Sequence, residues 1–536
     1  MTSSTCSSTC SVSSVQAATK KVNRHNKYPR ETKSLSASES PSGFFHHTRN
    51  EDAQFCEVFC NFVGMTGIER VLGEEILRQL PYDPNAQQME LIAAFCKFVM
   101  DPDPRSVFLL NGYAGTGKTS LMSALVKALL KMERKSVLLA PTGRAAKVFA
   151  SYSGHSAFTI HRKIYQSKRF NPEAFNYSLA HNNHKDTFFI VDEASMISNT
   201  PGENAVFGSG CLLDDLILYV YNGMGCRLIL LGDVAQLPPV GYAESPALSA
   251  AVLQGYGLKV YTYTLTEVAR QQKSSGILHN ATEIRNILSS GQLAPPTIHV
   301  SGFDDMEVVS GEFLAEKVAD CYAADGLDET IIVTRSNKRA TLFNQGVRGR
   351  VLYMEAEIAT GDMLLVAKNN YFWAEEYDNI DFIANGDIAV VRRISNFTHL
   401  YGFRFADVTL EFPDYGTEID AKIILDALYT DTPALTREQN NMLYQQVMED
   451  YADIPRKSEK FKRLKKDPYF NALQVKFAYS ITCHKAQGGQ WKNVFIDMGY
   501  LPEEAYRNVD FYRWLYTSFT RSYGKIYLIN PPLETD

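Results

Sequence analysis

The stretch VFLLNGYAGTGKTS, residues 107–120, decides the fold. Residues 107–110 are apolar and β-prone, the next segment carries Gly112, Gly115 and Gly117, and Lys118 and Thr119 open a helical pattern through Leu121, Met122, Leu125, Leu129 and Leu130. Strand, glycine loop and helix with the spacing G-x-x-x-x-G-K-T make a phosphate-binding loop, in which backbone N–H groups and a helix N-terminus converge on a polyanion. Gly112, Gly115, Thr116, Gly117, Lys118, Thr119 and Ser120 are therefore the expected nucleotide cradle. Lys118 would reach the β- and γ-phosphates of ATP, and the Thr119 hydroxyl would ligate Mg²⁺.

Outward from this loop the apolar cores at residues 137–140, 188–191 and 228–231 each end in a polar or glycine-bearing segment. Such an alternation predicts a parallel sheet with its chemistry at the C-terminal ends of the strands. A second series, at residues 331–333, 475–481, 494–496 and 526–529, predicts a second α/β lobe without a phosphate loop. Between its strands lies an insertion over residues 391–470. It starts with β-like alternation (Phe403, Phe405, Val408, Leu410, Phe412) and becomes helical and charged over 438–466.

The chain of 536 residues has room for about three or four domains. Its 45% hydrophobic and 21% charged content is that of a globular protein with real cores. No apolar run approaches the roughly 18 residues of a membrane span, so no membrane partner is expected. The net charge of −6 argues against a passive nucleic-acid coat but leaves room for a local basic channel. The cationic run RKSEKFKRLKK, residues 456–466, is either such a surface or a solvated helix face. Nine scattered cysteines, with C-x₃-C pairs at Cys6/Cys10 and Cys56/Cys60 and no second pair at zinc-site distance, predict reduced thiols in a cytosolic compartment. Residues 1–43 are rich in Ser and Thr and hold six Lys/Arg against two Glu, which predicts a disordered tail, with an organelle transit peptide as the alternative reading.

Residues 188–191 deliver Asp192 and Glu193 to the sheet edge. Asp192 is placed to hold the Mg²⁺ shell and Glu193 to polarise an attacking water, since hydrolysis needs one anion for the metal and another for the nucleophile. The next strand runs into GDVAQLPP, residues 232–239, which sets the Gln236 amide where it can bond the γ-phosphate and position water.

The ordered segments GYAGTGKTS, APTGRAAKVF, FTIHR, VDEASM, GDVAQLPPVG, EVARQ, TCHKAQGGQW and LYTSFTR resemble those of superfamily 1 DNA helicases, within their RecD/Dda-type branch that moves 5′ to 3′ on single-stranded DNA. The resemblance covers nearly everything from about Tyr82 to the C-terminus. It implies two RecA-like parallel-sheet lobes, a β-hairpin-like insert in the first (about 165–187) and an SH3-like barrel in the second. The domains expected are a tail (1–43), a helical lead (44–80), lobe 1 (81–268), lobe 2 (269–390 and 471–536) and the inserted subdomain (391–470).

By the same resemblance Gln88 reads adenine, with Gln87 the competing candidate, and Arg270 and Arg521 reach the γ-phosphate from the side of the second lobe. Pro141, Thr142, Gly143, Arg144, Thr159 and His161 in the first lobe, and Thr482, His484 and Lys485 in the second, are the implied DNA contacts. Gln487 and Gly488 couple that track to the nucleotide. A wedge for strand separation would sit at Phe170 or Phe175, unless both simply pack the loop down. The partners implied are single-stranded DNA and single-strand/duplex junctions, with a repair, recombination or nuclease partner conceivable. The motor is expected to be monomeric, cytoplasmic and nucleoid-associated, unwinding DNA in repair, recombination or replication. Two other readings stand beside it: a DNA-stimulated translocase subunit of a RecBCD-like complex that unwinds little alone, and a nucleotide switch that never steps along DNA.

Overall fold

The protein is described here from a computed structural model, over residues 67–536 except 168–176, 202–206, 269–273, 378–379, 381, 500, 532–534 and 536. The Ser-rich tail, the two C-x₃-C pairs, Phe170, Phe175 and Arg270 lie outside the described residues.

The first lobe contains β1 (Ser106–Gly112), β2 (Lys135–Ala140), β3 (Ala157–Thr159), β4 (Tyr165–Ser167), β5 (Tyr177–Leu179), β6 (Thr187–Val191), β7 (Arg227–Gly232) and β8 (Lys259–Leu265). All but β4 and β5 form one parallel sheet in the order β3-β2-β6-β7-β1-β8. Its strands read as unbroken apolar runs because both faces are covered. Phe108 and Leu110 of β1 pack with Phe95, Leu121 and Leu125 on one face, while Val107 and Leu109 pack with Leu213, Leu216 and Leu253 on the other. Full burial of each such side chain contributes about 1.5–3 kcal/mol, so the strand ends that carry the chemistry rest on a rigid floor. β4 and β5 pair antiparallel as the base of a hairpin.

The second lobe and the domain inserted in it use β9 (Met306–Val309), β10 (Thr330–Thr334), β11 (Met363–Val366), β12 (Ile388–Leu400), β13 (Phe403–Phe412), β14 (Thr417–Ile424), β15 (Leu473–Phe477), β16 (Ser480–Thr482), β17 (Trp491–Asp497) and β18 (Ser522–Ile529). A five-stranded parallel sheet runs β16-β10-β17-β18-β9, and β11 to β15 close into a barrel. Two RecA-like sheets with a small barrel are thus the architecture.

The barrel reaches further along the chain than residues 391–470, because β11 and β15 belong to it and pair with each other. The apolar run at 475–481, expected as one strand of the second sheet, divides at Ala478 and Tyr479 into β15 of the barrel and β16 of the sheet. The reason is local: Ala478 N–H turns to bond the Met363 carbonyl and the Tyr479 carbonyl accepts from Ile332. The charged extension folds as helices Arg437–Glu449 and Lys457–Lys465, whose Leu443, Val447 and Leu464 bury against Phe403 and Phe405 of the barrel. The cationic run therefore has two apolar anchors, Phe461 and Leu464, and a mostly solvated remainder.

Candidate functional site

Because the first sheet is parallel, the C-terminal ends of β1, β6 and β7 open on one edge. The loop after β1 is tied by Thr116, whose Oγ1 donates to the Tyr113 carbonyl at 2.8 Å. Gly115 and Gly117 have φ of +73° and +81°, left-handed values that favour glycine. Helix Lys118–Lys131 begins from Gly117 with no side-chain cap, so its first N–H groups face the loop's interior, where an anion is stabilised by the helix dipole. Lys118 Nζ donates to the Gly112 carbonyl at 2.9 Å, which folds the ammonium over the loop.

Gln88 is 2% exposed, and both ends of its amide are engaged within the protein. Oε1 accepts from the Asn85 N–H at 3.1 Å in a capping box, and Nε2 donates to the Thr116 carbonyl at 2.9 Å. Gln87 is half-buried and bonds Thr266 and Glu267. In this conformation Gln88 braces the phosphate loop from behind.

β6 carries Asp192 and Glu193 to the same edge. Asp192 accepts from the Glu193 N–H at 2.8 Å and from the Tyr152 hydroxyl, a partner the sequence reading missed. Glu193 sits at φ +51°, and its Oε2 is buried without a hydrogen-bond partner. Burial raises its pKa, while the positive charges of Arg521 and Lys118 pull it back down. A buried carboxylate under the charge of two cations and with an unpartnered oxygen has the chemistry to accept a hydrogen bond from water. Gln236, after β7, is likewise buried with its Oε1 unpartnered.

Arg521 follows helix Val509–Phe519 of the second lobe and is 2% exposed. It donates to the Thr517 carbonyl at 3.0 Å, the Gly489 carbonyl at 3.2 Å and Thr520 Oγ1 at 3.1 Å. Its charge acts on both Glu193 and Asp233 of the first lobe. The same helix supplies a link that sequence reasoning did not find. The Tyr516 hydroxyl donates to Asp233 Oδ2 at 2.6 Å and accepts the Ala114 N–H of the phosphate loop at 2.9 Å. Next to it the Leu237 N–H donates to Thr517 Oγ1 at 2.9 Å, and Gln487 Nε2 donates to the Leu237 carbonyl at 2.7 Å.

Among the residues assigned to DNA, Thr142 caps helix Gly143–Ser153 by accepting from the Ala145 N–H at 3.2 Å. Arg144 lies over the Trp491 ring at 4.0 Å and donates to the Gln490 carbonyl at 3.2 Å, so it bridges the lobes. Pro141 precedes this joint and is half-buried. Thr159 caps helix Ile160–Ile164, and His161 stands among the rings of Tyr165, Phe207 and Phe382. Burial pushes the His161 imidazole down to about 4, so it is a neutral donor at neutral pH. Burial also lowers His484. Lys485 falls to about 8 by burial, and its ammonium bonds Asn385 of the barrel. Thr482, at the end of β16, completes that cluster. Gly488, at φ +75°, leaves so little room that a Cβ there would come within 2.9 Å of Ala145 Cβ.

Residues 84–291 match a family model described as an AAA domain, and residues 477–529 match one described as a UvrD-like helicase C-terminal domain. In these segments the chain is similar to superfamily 1 helicases. It is similar to the ATP-dependent DNA helicase dda of Enterobacteria phage T4, at 25% identity over 48% of this chain and 55% of that protein. It is also similar to the ATP-dependent RecD2 DNA helicase of Deinococcus radiodurans, at 28% identity over 49% of this chain and 34% of that protein. The chain thus spans about half or less of these relatives' length. A crystal structure of a Pif1 helicase from Bacteroides with ADP-AlF3 and single-stranded DNA aligns at 15% identity and a TM-score of 0.40, covering 84% of this chain and 93% of that one. Among the described residues, no helix is long and apolar enough to cross a membrane.

Proposed function

We propose that the protein is an ATP-driven DNA helicase that moves 5′ to 3′ on single-stranded DNA. One observation carries the reading. Glu193, with its unpartnered buried oxygen, feels the positive charge of both Lys118 of the phosphate loop and Arg521 of the opposite lobe. Such a site is complete only when the lobes meet, so hydrolysis requires lobe closure. Lys118 binds the β- and γ-phosphates, Glu193 orients the attacking water and accepts its proton, and Gln236 positions it. Arg521 leaves its backbone carbonyls to meet charge that develops on the γ-phosphoryl oxygens. Arg270 is proposed as a second such arginine and Gln88 as the adenine contact, and both rest on the motif resemblance.

Thr119 and Asp192 fit a hard cation, since one offers a hydroxyl and the other a carboxylate that Tyr152 and a backbone N–H already hold in place. Bound there, Mg²⁺ would supply charge neutralisation between the phosphates. DNA crossing both lobes would contact residues 141–144, Thr159 and His161 on one side and Thr482, His484 and Lys485 on the other, with Gly488 coupling that track to the nucleotide. Polarity is carried by the motif resemblance, as is a role in repair, recombination or replication. The proposed location is cytoplasmic and nucleoid-associated.

The test is Lys118→Ala together with duplexes tailed at 5′ or 3′ ends. Loss of DNA-stimulated ATPase in the variant with DNA binding retained, and opening of the 5′-tailed duplex by the native chain, are expected. Equal opening of both tails refutes the polarity, and unchanged turnover in the variant refutes the motor.

A further inference from the structure

Away from the nucleotide, helix Gly276–Ser290 presents His279 and Glu283 one turn apart, and His299 approaches them from the segment that follows. His279 Nε2 stands 3.7 Å from Glu283 Oε1, and His299 Nε2 stands 3.3 Å from Glu283 Oε2. The ligand atoms of the three side chains lie within 4.8 Å of one another. In a tetrahedral zinc site with bonds of about 2.0–2.1 Å, neighbouring ligand atoms are about 3.3 Å apart. The two imidazole–carboxylate separations, each to a different oxygen of Glu283, are near that edge length, and the set as a whole would have to draw in from its 4.8 Å spread to close around an ion.

The backbone of His299 and the ring of His279 are each held. Asn280, 2% exposed, donates to the His299 carbonyl at 2.7 Å and accepts the His299 N–H at 2.8 Å, which fixes the backbone of His299 to the same helix. The His279 ring stacks on Phe303 with centroids 5.5 Å apart.

We propose that His279, Glu283 and His299 bind one divalent transition-metal ion of the zinc class, with water completing its shell. Two imidazoles and a carboxylate suit Zn²⁺, Cu²⁺ or Ni²⁺, whereas Mg²⁺ and Ca²⁺ take oxygen ligands. The ion would tie the start of the helix to the segment that leads into β9. The other end of that helix reaches the phosphate loop, since Arg285 lies 4.6 Å over the Tyr113 ring and donates to the Thr266 carbonyl at 3.1 Å. An ion here therefore stiffens an element that touches the nucleotide cradle, and the site stands whether or not the chain is a helicase.

The full chain, stripped with a chelator, is titrated with ZnCl₂ alongside His279→Asn, Glu283→Gln and His299→Asn. Each variant is expected to lose one equivalent or to bind it at least tenfold more weakly. Zinc should raise the melting temperature of the native chain and not of the variants, while the metal-free melts coincide. A variant whose metal-free melt falls is replaced by Glu283→Ala, whose side chain is half-exposed. Because the chain has nine cysteines, a cobalt spectrum is recorded too. Thiolate charge-transfer bands that persist in all variants, or native stoichiometry and affinity in all three, overturn the proposal.

Discussion

Replacing Tyr516 by phenylalanine removes one oxygen and leaves the ring where it packs. That oxygen donates to the buried Asp233 carboxylate at 2.6 Å and accepts the Ala114 N–H at 2.9 Å, so it joins the two lobes through the phosphate loop. A hydrogen bond to a charged group contributes about 1.5–3 kcal/mol, and an orphaned backbone donor costs about 1 kcal/mol more. The contact between lobes should weaken by about 3 kcal/mol, which at about 1.4 kcal/mol per decade is on the order of 10² in the ratio of joined to separated lobes. The assay is ATP turnover with saturating single-stranded oligonucleotide, with nucleotide affinity measured in parallel. Turnover should fall between about tenfold and a hundredfold while nucleotide affinity changes much less, because Lys118 and the loop glycines are untouched. A double-mutant cycle with Asp233→Asn should return a coupling of at least about 1 kcal/mol. Turnover within twofold of the native chain together with no coupling would refute the idea that this hydroxyl joins the lobes.

Gly488→Ala should reduce DNA-stimulated turnover at least tenfold, measured by the same assay. Its φ of +75° strains an alanine, and the new Cβ would press on Ala145 at 2.9 Å and Thr142 Oγ1 at 3.1 Å. Asp387, which accepts from the Ala384 N–H and the Tyr415 hydroxyl, is raised by burial to about 7. Its contribution to stability is present in acid, when the carboxyl is neutral, and is lost as pH rises from the unfolded value of 3.8 to about 7. Asp387→Asn should flatten the decline of melting temperature between pH 5 and roughly 7.5, and an unchanged slope contradicts this. Asp362→Ala should destabilise the chain by about 3–5 kcal/mol in denaturant melts, because it leaves Arg348, paired to it at 2.8 Å and buried, without a counter-charge. A loss below about 1 kcal/mol would show that water reaches Arg348.

Much of the fold could be read in the sequence where an apolar run ends in an unusual polar pair. The loop after β1, Asp192–Glu193 after β6 and the Gly232–Gln236 segment after β7 all have that form, because a parallel sheet puts its reactive groups just past buried strands. β11 was not legible: Met363–Val366 resembles any buried strand, and its partner β15 lies more than a hundred residues further on. Tyr516 was hidden for a similar reason. It sits among Tyr512, Trp514, Leu515 and Phe519 in an apolar helix, where only the third dimension shows that its hydroxyl reaches Asp233. Tyr152 lies near the end of a helix without any motif of its own, and its bond to Asp192 arises because that helix packs on β2, the neighbour of β6. The Gln88 amide had a legible signal, since Asn85 three residues before it marks a capping box, and the cap engages its acceptor.

Only Ala478 and Tyr479 separate β15 from β16, and both are buried, with the Tyr479 hydroxyl bonded to Asp362 at 2.9 Å. A joint that short and that well packed has no slack. The barrel is thereby tied closely to the second sheet, and a displacement of that sheet should carry the barrel with it, as a lever follows its shaft. Lengthening that junction by a few glycines would therefore uncouple the barrel's position from the nucleotide state while sparing each of the two folds.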